Sequence, residues 1–221
     1  KLCKTVSRLL LVVASVHVLN GSETGQIEQS LNGEWNFTTS SDPQADDWST
    51  IEVPGSWNST EAYTLHFGNG WYQRSFTPDP SLEGRQVRLK FETVYHEAEV
   101  FLNGRRLGKH IGGYTPFEFD VTGALRFGQA NEVTVRADNS YRRGAWFAWG
   151  GINRDVSLIG NTPLRLVWQH IRAEPDLEAG TADVFVKYRI RNEGSETRDV
   201  RLQSRLESVD RRLGEEVVRV A

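Results

Sequence analysis

Large aromatic side chains just before a glycine turn are the residues of this sequence best suited to binding chemistry. Trp146, Phe147 and Trp149 lie directly before or beside Gly150 and Gly151. The apolar C–H faces of a pyranose ring stack on aromatic rings, so rings next to a rigid turn are what a sugar-binding edge requires. The alternative is that the same rings close one end of a β-sandwich core, where most large aromatic side chains lie. Both interpretations stay open at the level of local sequence.

Residue patterns of common catalytic centres are missing from the sequence. It contains no Gly-x-Ser-x-Gly elbow, no phosphate-binding glycine loop and no Cys/His cluster at metal-ligand spacing. Glu97 and Glu99 flank one position of a predicted strand and share a face, which is typical of a solvated surface and not of two carboxyls flanking a bound sugar. We therefore predict no catalytic residue, no metal ligand and no cofactor. A structural calcium or sodium ion stays open, although no clustered Asp/Asn loop indicates one.

The charge balance argues against one class of partner. With 26 basic and 29 acidic residues, the net charge of −3 offers no basic surface for nucleic acid. No apolar run is long enough to span a membrane.

The N-terminal segment, residues 1–21, is typical of a secretory signal peptide. Three basic residues within the first eight positions precede a short apolar stretch. Cleavage would remove Cys3, the single cysteine, and leave a chain without disulfides, as in many bacterial envelope and secreted proteins. We expect export to the periplasm or the exterior. The alternative is that this segment forms a buried N-terminal strand.

Short alternating runs of apolar and polar residues predict an all-β fold. Val100 and Leu102 alternate with Glu99 and Phe101, and the following Asn103-Gly104 pair predicts a two-residue hairpin turn. Eight to ten such strands between residues 27 and 160 predict a jelly-roll sandwich. Residues 161–221 continue as the opening part of an immunoglobulin-like sandwich. Because this second pattern has too few strands to close, and the chain has no methionine, we expect a fragment of a longer protein.

Seven short motifs occur in a fixed order along about 130 residues. Each is weak alone, but together they resemble the N-terminal region of the family-2 glycoside hydrolases, which include β-galactosidases, β-glucuronidases and β-mannosidases. The motifs are residues 31–37 (LNGEWNF), 53–57 (VPGSW), 70–76 (GWYQRSF), 100–104 (VFLNG), 112–122 (GGYTPFEFDVT), 131–135 (NEVTV) and 149–158 (WGGINRDVSL).

The resemblance implies a sugar-binding jelly roll, an immunoglobulin-like domain and then a (β/α)₈ barrel that carries both catalytic glutamates. Members of the family hydrolyse terminal β-linked sugars with retention, using two carboxyls roughly 5 Å apart. Neither carboxyl has a counterpart in these residues. The partners implied are a carbohydrate substrate and the barrel of the same polypeptide, while a homo-oligomer stays open.

The resemblance also implies where this chain contributes to substrate binding. Several family members carry an acidic sugar contact six positions before the glycine that corresponds to Gly151, and Ala145 stands there in this sequence. Trp146 and Trp149 are then the candidates for stacking on the sugar, and Asn69, in the loop before Gly70, is a further candidate contact.

A strand is expected to begin at Asp155, and Arg154 and Asp155 would point to opposite faces if both belonged to it. One of them would tie the jelly roll to a neighbouring domain, and Arg154 is interpreted as structural. Three hypotheses remain: the non-catalytic N-terminal part of an exported exo-acting β-glycosidase, a free-standing carbohydrate-binding module, or a structural sandwich that mediates assembly.

Overall fold

The structure is a computed structural model that describes residues 10–18, 25–41, 48–141, 149–176, 178–179, 181–197, 200–208 and 212–220. The chain divides into two compact units, which are described separately: Gln26–Asn161, and Lys1–Gly25 together with Thr162–Ala221. In chain order the described strands are β1 Leu10–Val18, β2 Ile27–Ser30, β3 Gly33–Thr38, β4 Ser49–Val53, β5 Asn69–Phe76, β6 Gln86–Phe91, β7 Val94–Tyr95, β8 Glu97–Leu102, β9 Arg105–Ile111, β10 Phe117–Asp120, β11 Asn131–Asp138, β12 Gly151–Ile152, β13 Val156–Asn161, β14 Leu164–Asp176, β15 Thr181–Asn192, β16 Val200–Ser208 and β17 Arg212–Val220; the 3₁₀ helices are Trp57–Ser59, Glu61–Tyr63 and Pro80–Leu82.

The larger unit consists of antiparallel sheets. A six-stranded sheet has the order β4-β3-β5-β11-β8-β9, a four-stranded sheet has the order β10-β6-β13-β2, and β7 pairs with β12. The all-β prediction is confirmed. The structure shows twelve strands in the described part of this unit, more than the eight to ten predicted, partly because the two-residue strands β7 and β12 are too short to show an alternating pattern.

One continuous core joins the two large sheets. Phe37, Tyr72 and Val135 from the six-stranded sheet and Leu89 and Phe91 from the four-stranded sheet are almost fully buried in a single cluster. The alternation predicted along β8 is confirmed, since its even-numbered residues are buried and its odd-numbered ones are partly exposed. Burial of apolar side chains between the two sheets is therefore what holds them together.

The hairpin between β8 and β9 turns at the predicted pair. Asn103 and Gly104 have φ angles of +53° and +77°, the left-handed backbone that a type I′ turn requires. The Asn103 side chain also anchors the turn, because its Nδ2 donates to the carbonyl of Ala124 at 3.1 Å and its Oδ1 accepts from the amide of Glu132 at 3.0 Å. The turn prediction is confirmed.

The strand after the glycine turn starts one residue later than predicted. β13 begins at Val156, so both Arg154 and Asp155 precede it and the strand-face argument does not apply to them. The reason is a pair of hydrogen bonds made by the Asn32 side chain. Asn32 donates from Nδ2 to Asp155 Oδ1 at 3.0 Å and accepts from the amide of Val156 at 2.9 Å. Asp155 is thus fixed within the larger unit.

The smaller unit contains two antiparallel groups of strands. β14 and β15 form a long hairpin, while β1, β16 and β17 form a three-stranded sheet in that order. β1 falls in the apolar stretch of the predicted signal peptide and pairs with β16 from Leu10 opposite Ser208 to Val18 opposite Val200. Export stays a prediction. Among the described residues, none belongs to a helix long and apolar enough to cross a membrane.

Candidate functional site

A cleft of about 640 Å³ opens on the larger unit beside the glycine turn. That volume is in the range of sites for small organic ligands. Two aromatic side chains in its wall are well exposed, Tyr114 at 77% and Trp149 at 55%. The lining consists of Ser56, Glu92, Thr93, Tyr95, Gly113, Tyr114, Pro116, Trp149, Asn153 and Arg154.

Tyr114 is held in place by a packed neighbour. Its ring meets that of Tyr95 edge to face, with centroids 5.7 Å apart, and the preceding Gly113 lies so close that a Cβ there would be 2.2 Å from the Tyr95 ring. Burial raises the pKa of the Tyr95 phenol, and the phenols of Tyr114 and Tyr141 raise it further. Tyr95 is therefore an uncharged ring that supports the exposed Tyr114.

The glycine turn at the other side of the cleft is packed too tightly for side chains. A Cβ on Gly150 would lie 2.2 Å from the Trp57 ring, and one on Gly151 would lie 2.5 Å from the Tyr72 hydroxyl. Gly151 also has a φ of +117°. Burial raises the pKa of the Tyr72 phenol far above its usual range, so the group that presses on Gly151 is neutral. Both positions require glycine because neighbouring side chains pack directly against the backbone, and not only because the chain bends there.

A buried amide network fixes the backbone at Gly150. Asn58 Oδ1 accepts from the amide of Gly150 at 2.9 Å and from Asn139 Nδ2 at 3.3 Å. Its Nδ2 donates to the carbonyls of Tyr63, Thr64 and His66, the last at 2.9 Å. Asn58 therefore connects the turn beside Trp149 to the loop that leads into β5.

Asn139 extends the same network. It is fully buried, and its Oδ1 accepts from the amide of Gly68 at 2.8 Å. Gly68 immediately precedes Asn69, so the network reaches both candidate binding elements. We call Asn58 and Asn139 the amide hub.

The candidate site residues from the sequence fall in three different positions. Trp149 lines the cleft. Trp146 and Ala145 belong to residues 142–148, which lie outside the described residues. Asn69 is exposed at the start of β5 and is not part of the described cleft lining. The structure therefore does not place Trp149 and Asn69 in one cleft, although the amide hub supports both.

The Asn69 side chain has a charged neighbour. Its Oδ1 accepts a long hydrogen bond of 3.4 Å from Arg136 Nη1, and Arg136 Nη2 lies 3.2 Å from Glu99 Oε2. Its carbonyl oxygen lies 2.9 Å from His66 Nε2. With Oδ1 facing Arg136, the Asn69 Nδ2 is the group left to donate to a ligand.

The two glutamates of β8 take part in surface ion pairs. Glu97 pairs with Lys109 at 2.5 Å, and Glu99 pairs with Arg106 at 2.5 Å. The hydrogen bond from Arg106 holds the pKa of the Glu99 carboxyl below its usual value, and the charge of Arg136 adds to this effect. These contacts agree with the solvated face predicted for them. Among the described residues, no group of three His, Cys, Asp or Glu side chains is arranged to hold a metal ion.

Sequence reasoning missed Tyr114 and the amide hub. Tyr114 was visible in the motif of residues 112–122, but its exposure could not be deduced from a pattern. Asn58 is the first residue of an Asn-Ser-Thr triplet, the glycosylation signal, yet its Nδ2 is buried and already makes three hydrogen bonds. The triplet is therefore a structural feature in the folded chain.

Comparisons with known proteins show what this chain resembles. Residues 61–163 match the family described as "Glycosyl hydrolases family 2, sugar binding domain". A β-glucuronidase of Formosa agariphila is 26% identical over 93% of this chain and 25% of its own length. A β-galactosidase of Thermoanaerobacter pseudethanolicus is 36% identical over 64% of this chain and 21% of its own length. The chain thus spans about a quarter or less of the length of these curated relatives.

The fold is also shared with a solved structure. A β-glucuronidase from Ruminococcus gnavus superposes with a TM-score of 0.69 over 90% of this chain and 46% of that one, at 16% sequence identity. Because the identity is low, this likeness concerns the fold. The order of a jelly-roll sandwich followed by an immunoglobulin-like sandwich stays a prediction.

Proposed function

We propose, from the match of residues 61–163 to the family-2 sugar binding domain, that the chain is the non-catalytic N-terminal portion of a retaining, exo-acting β-glycosidase. The observation that best supports this proposal is the aromatic cleft beside the glycine turn, with Trp149 exposed in its wall. In this proposal the two catalytic carboxyls come from a barrel of the same polypeptide, and the jelly roll supplies part of the rim of its active site.

The proposed substrate is a terminal β-linked sugar, bound partly by this chain. Trp149 and Trp146 would stack on the apolar face of the ring, and Asn69 would donate from Nδ2 to one of its oxygen atoms. Because Ala145 lacks a carboxylate, this chain makes no acidic contact at that position. The names of the relatives, β-glucuronidase and β-galactosidase, indicate the two sugars to test first.

We also propose that the protein is exported. The support is the order of basic and then apolar residues within 1–21. Fusing residues 1–21 to a periplasmic reporter enzyme should direct the reporter across the inner membrane. A fusion in which Lys1, Lys4 and Arg8 are replaced by glutamate should remain inside the cell.

The decisive experiment compares this chain with the product of the complete gene. Both proteins are assayed with the nitrophenyl β-glucuronide, β-galactoside and β-mannoside. We expect no turnover by the 221-residue chain, and hydrolysis of at least one substrate, with retention, by the complete product. Turnover by the chain alone would place the catalytic residues here and refute the proposal. Sugar binding without hydrolysis by the complete product would favour the free-standing binding module.

A variant tests whether Trp149 contacts the substrate. In the complete product, Trp149→Ala should raise KM by about tenfold through loss of a stacking contact. Trp168→Ala is the matched control, because Trp168 is 45% exposed but lies on β14 of the other unit. Equal KM changes in the two variants would argue against a stacking role.

A further inference from the structure

The amide hub joins the two elements that carry the candidate substrate contacts. Trp149 immediately precedes Gly150, and Asn69 immediately follows Gly68. One hub asparagine accepts from the amide of Gly150 at 2.9 Å, and the other accepts from the amide of Gly68 at 2.8 Å. The two asparagines are themselves joined by a hydrogen bond of 3.3 Å. A chain of three hydrogen bonds therefore connects the backbone beside one candidate contact to the backbone beside the other.

Each of these glycines is also held through its carbonyl group. The Gly68 oxygen accepts from the amide of Asn139 at 3.1 Å. The Gly150 oxygen accepts from the amide of Trp57 at 3.0 Å and from the Ser56 hydroxyl at 3.0 Å. With both backbone groups bonded, neither glycine can change its backbone conformation without breaking a hydrogen bond.

The hub is packed directly against the glycine turn. A Cβ on Gly150 would lie 2.5 Å from Asn139 Nδ2. Asn139 is 0% exposed and Asn58 is 8% exposed. Buried amides must keep their partners, because an unpaired polar group away from water costs free energy. The hub therefore favours a single arrangement of the two elements.

We propose that Asn58 and Asn139 are positioning residues, which hold Trp149 and Asn69 in one fixed arrangement for binding a sugar. Neither hub asparagine touches the sugar in this proposal. Trp149 lines the cleft and Asn69 is outside its described lining, so the hub fixes the relative placement of two separate contacts. The proposal rests on the proposed function for the sugar, and on the hydrogen-bond network for the coupling between the two elements.

The first experiment measures native-state amide hydrogen exchange in the chain by nuclear magnetic resonance. In Asn139→Ala, we expect the Gly150 amide to exchange about tenfold faster relative to the Glu132 amide, although Gly150 donates to Asn58 and not to Asn139. The Glu132 amide is the reference, because it is held separately by the Asn103 side chain. An unchanged ratio would show that the two glycines are held independently, and it would overturn the proposal.

A second variant keeps this experiment decisive if Asn139→Ala does not fold. Asn139→Ser retains a polar group at the site but offers one hydroxyl in place of an amide donor and a separate carbonyl acceptor. The same rise in the exchange of Gly150 relative to Glu132 is expected, and an unchanged ratio again contradicts the coupling.

The second experiment measures kcat and KM of the complete gene product. Asn58→Ala and Asn139→Ala should each raise KM by about tenfold with a smaller change in kcat, because small displacements of positioned groups weaken binding steeply. Leu102→Ala is the control, since it removes a buried side chain at the end of β8 and outside the described cleft lining. Its KM should stay unchanged at a temperature at which all three variants are folded. Equal KM changes in the control and the hub variants would reduce the hub to a structural role.

A double-mutant comparison tests whether the hub acts on both contacts. Trp149→Ala and Asn69→Ala are each introduced into the unsubstituted complete product and into its Asn139→Ala variant. Each should raise KM by a smaller factor in the hub variant, because the contact that it removes is already weakened there. Fully additive effects would contradict the positioning role.

The outcomes separate this proposal from the proposed function. If the complete product hydrolyses no glycoside, the proposed function fails, while the exchange rates of the chain still decide whether Gly68 and Gly150 are coupled. If hydrolysis is normal and the exchange ratio is unchanged in the hub variant, the proposed function stands and the positioning role is refuted.

Discussion

At the scale of single residues, Gly151 combines a conformational and a steric requirement. Its φ of +117° and its distance from the Tyr72 hydroxyl both exclude a side chain. We expect Gly151→Ala to lower the free energy of unfolding by about 3 kcal/mol, through backbone strain together with displacement of Tyr72. Urea unfolding followed by tryptophan fluorescence measures the loss.

Gly123→Ala is the control for that substitution. A Cβ on Gly123 meets nothing within 4 Å, and its φ lies outside the left-handed region. Its unfolding free energy should stay within about 0.5 kcal/mol of the unsubstituted chain. A similarly small effect at Gly151 would mean that the turn beside the cleft relaxes more easily than its packing indicates.

The second prediction at the scale of single residues concerns Asn58. Asn58→Ala removes the acceptor for the buried Gly150 amide and one donor to three partly buried carbonyls. We expect a loss of about 3 kcal/mol in the free energy of unfolding. Asn69→Ala changes an exposed asparagine and should alter stability by about 0.5 kcal/mol at most. If the two variants were equally stable, the amide hub would not be a stabilising feature.

At the scale of elements, one acidic side chain connects three adjacent strands. Glu99 on β8 pairs with Arg106 on β9 and Arg136 on β11. The pKa of the Glu99 carboxyl is lower in the folded state than in the unfolded chain, where it is about 4.3. Glu99 therefore stabilises the fold fully at pH values above about 4.3. This stabilisation is lost as the pH falls through the lower folded pKa.

Glu99→Gln should therefore cost about 0.5–1 kcal/mol of unfolding free energy at pH 7, as for a partly exposed ion pair. The difference from the unsubstituted chain should disappear as the pH is lowered from 4 towards 2. Urea titrations across this pH range measure it, with Glu52→Gln, an exposed residue of β4, as the control. A difference that grows on acidification would contradict the assignment.

At the scale of the whole molecule, the larger unit contains a complete core cluster of its own. All of the buried members of that cluster fall within Gln26–Asn161. We expect a chain of residues 26–161 to fold alone, with a single cooperative unfolding transition and near-ultraviolet circular dichroism from its packed aromatic rings. A fragment with strand content but no near-ultraviolet signal would show that the smaller unit is needed for packing.

Local features of this protein could be predicted because their causes are local. The alternation of β8 reflects a two-residue period, and the Asn103-Gly104 turn reflects two residues that tolerate positive φ. Both could be predicted from the sequence without knowing which distant residues they contact. The start of β13 was not, because it is set by Asn32, which is 124 residues away from Val156.

The sequence by itself determined the all-β class, the order of motifs and the tight turn after Trp149. Only the tertiary structure decided that Tyr114, Trp149 and Arg154 share one cleft, and that Asn58 fixes Gly150 across 92 residues of sequence. The physical reason is that backbone periodicity and turn conformation are properties of neighbouring residues. A cleft and a buried hydrogen-bond network depend instead on which distant strands the packed core brings together.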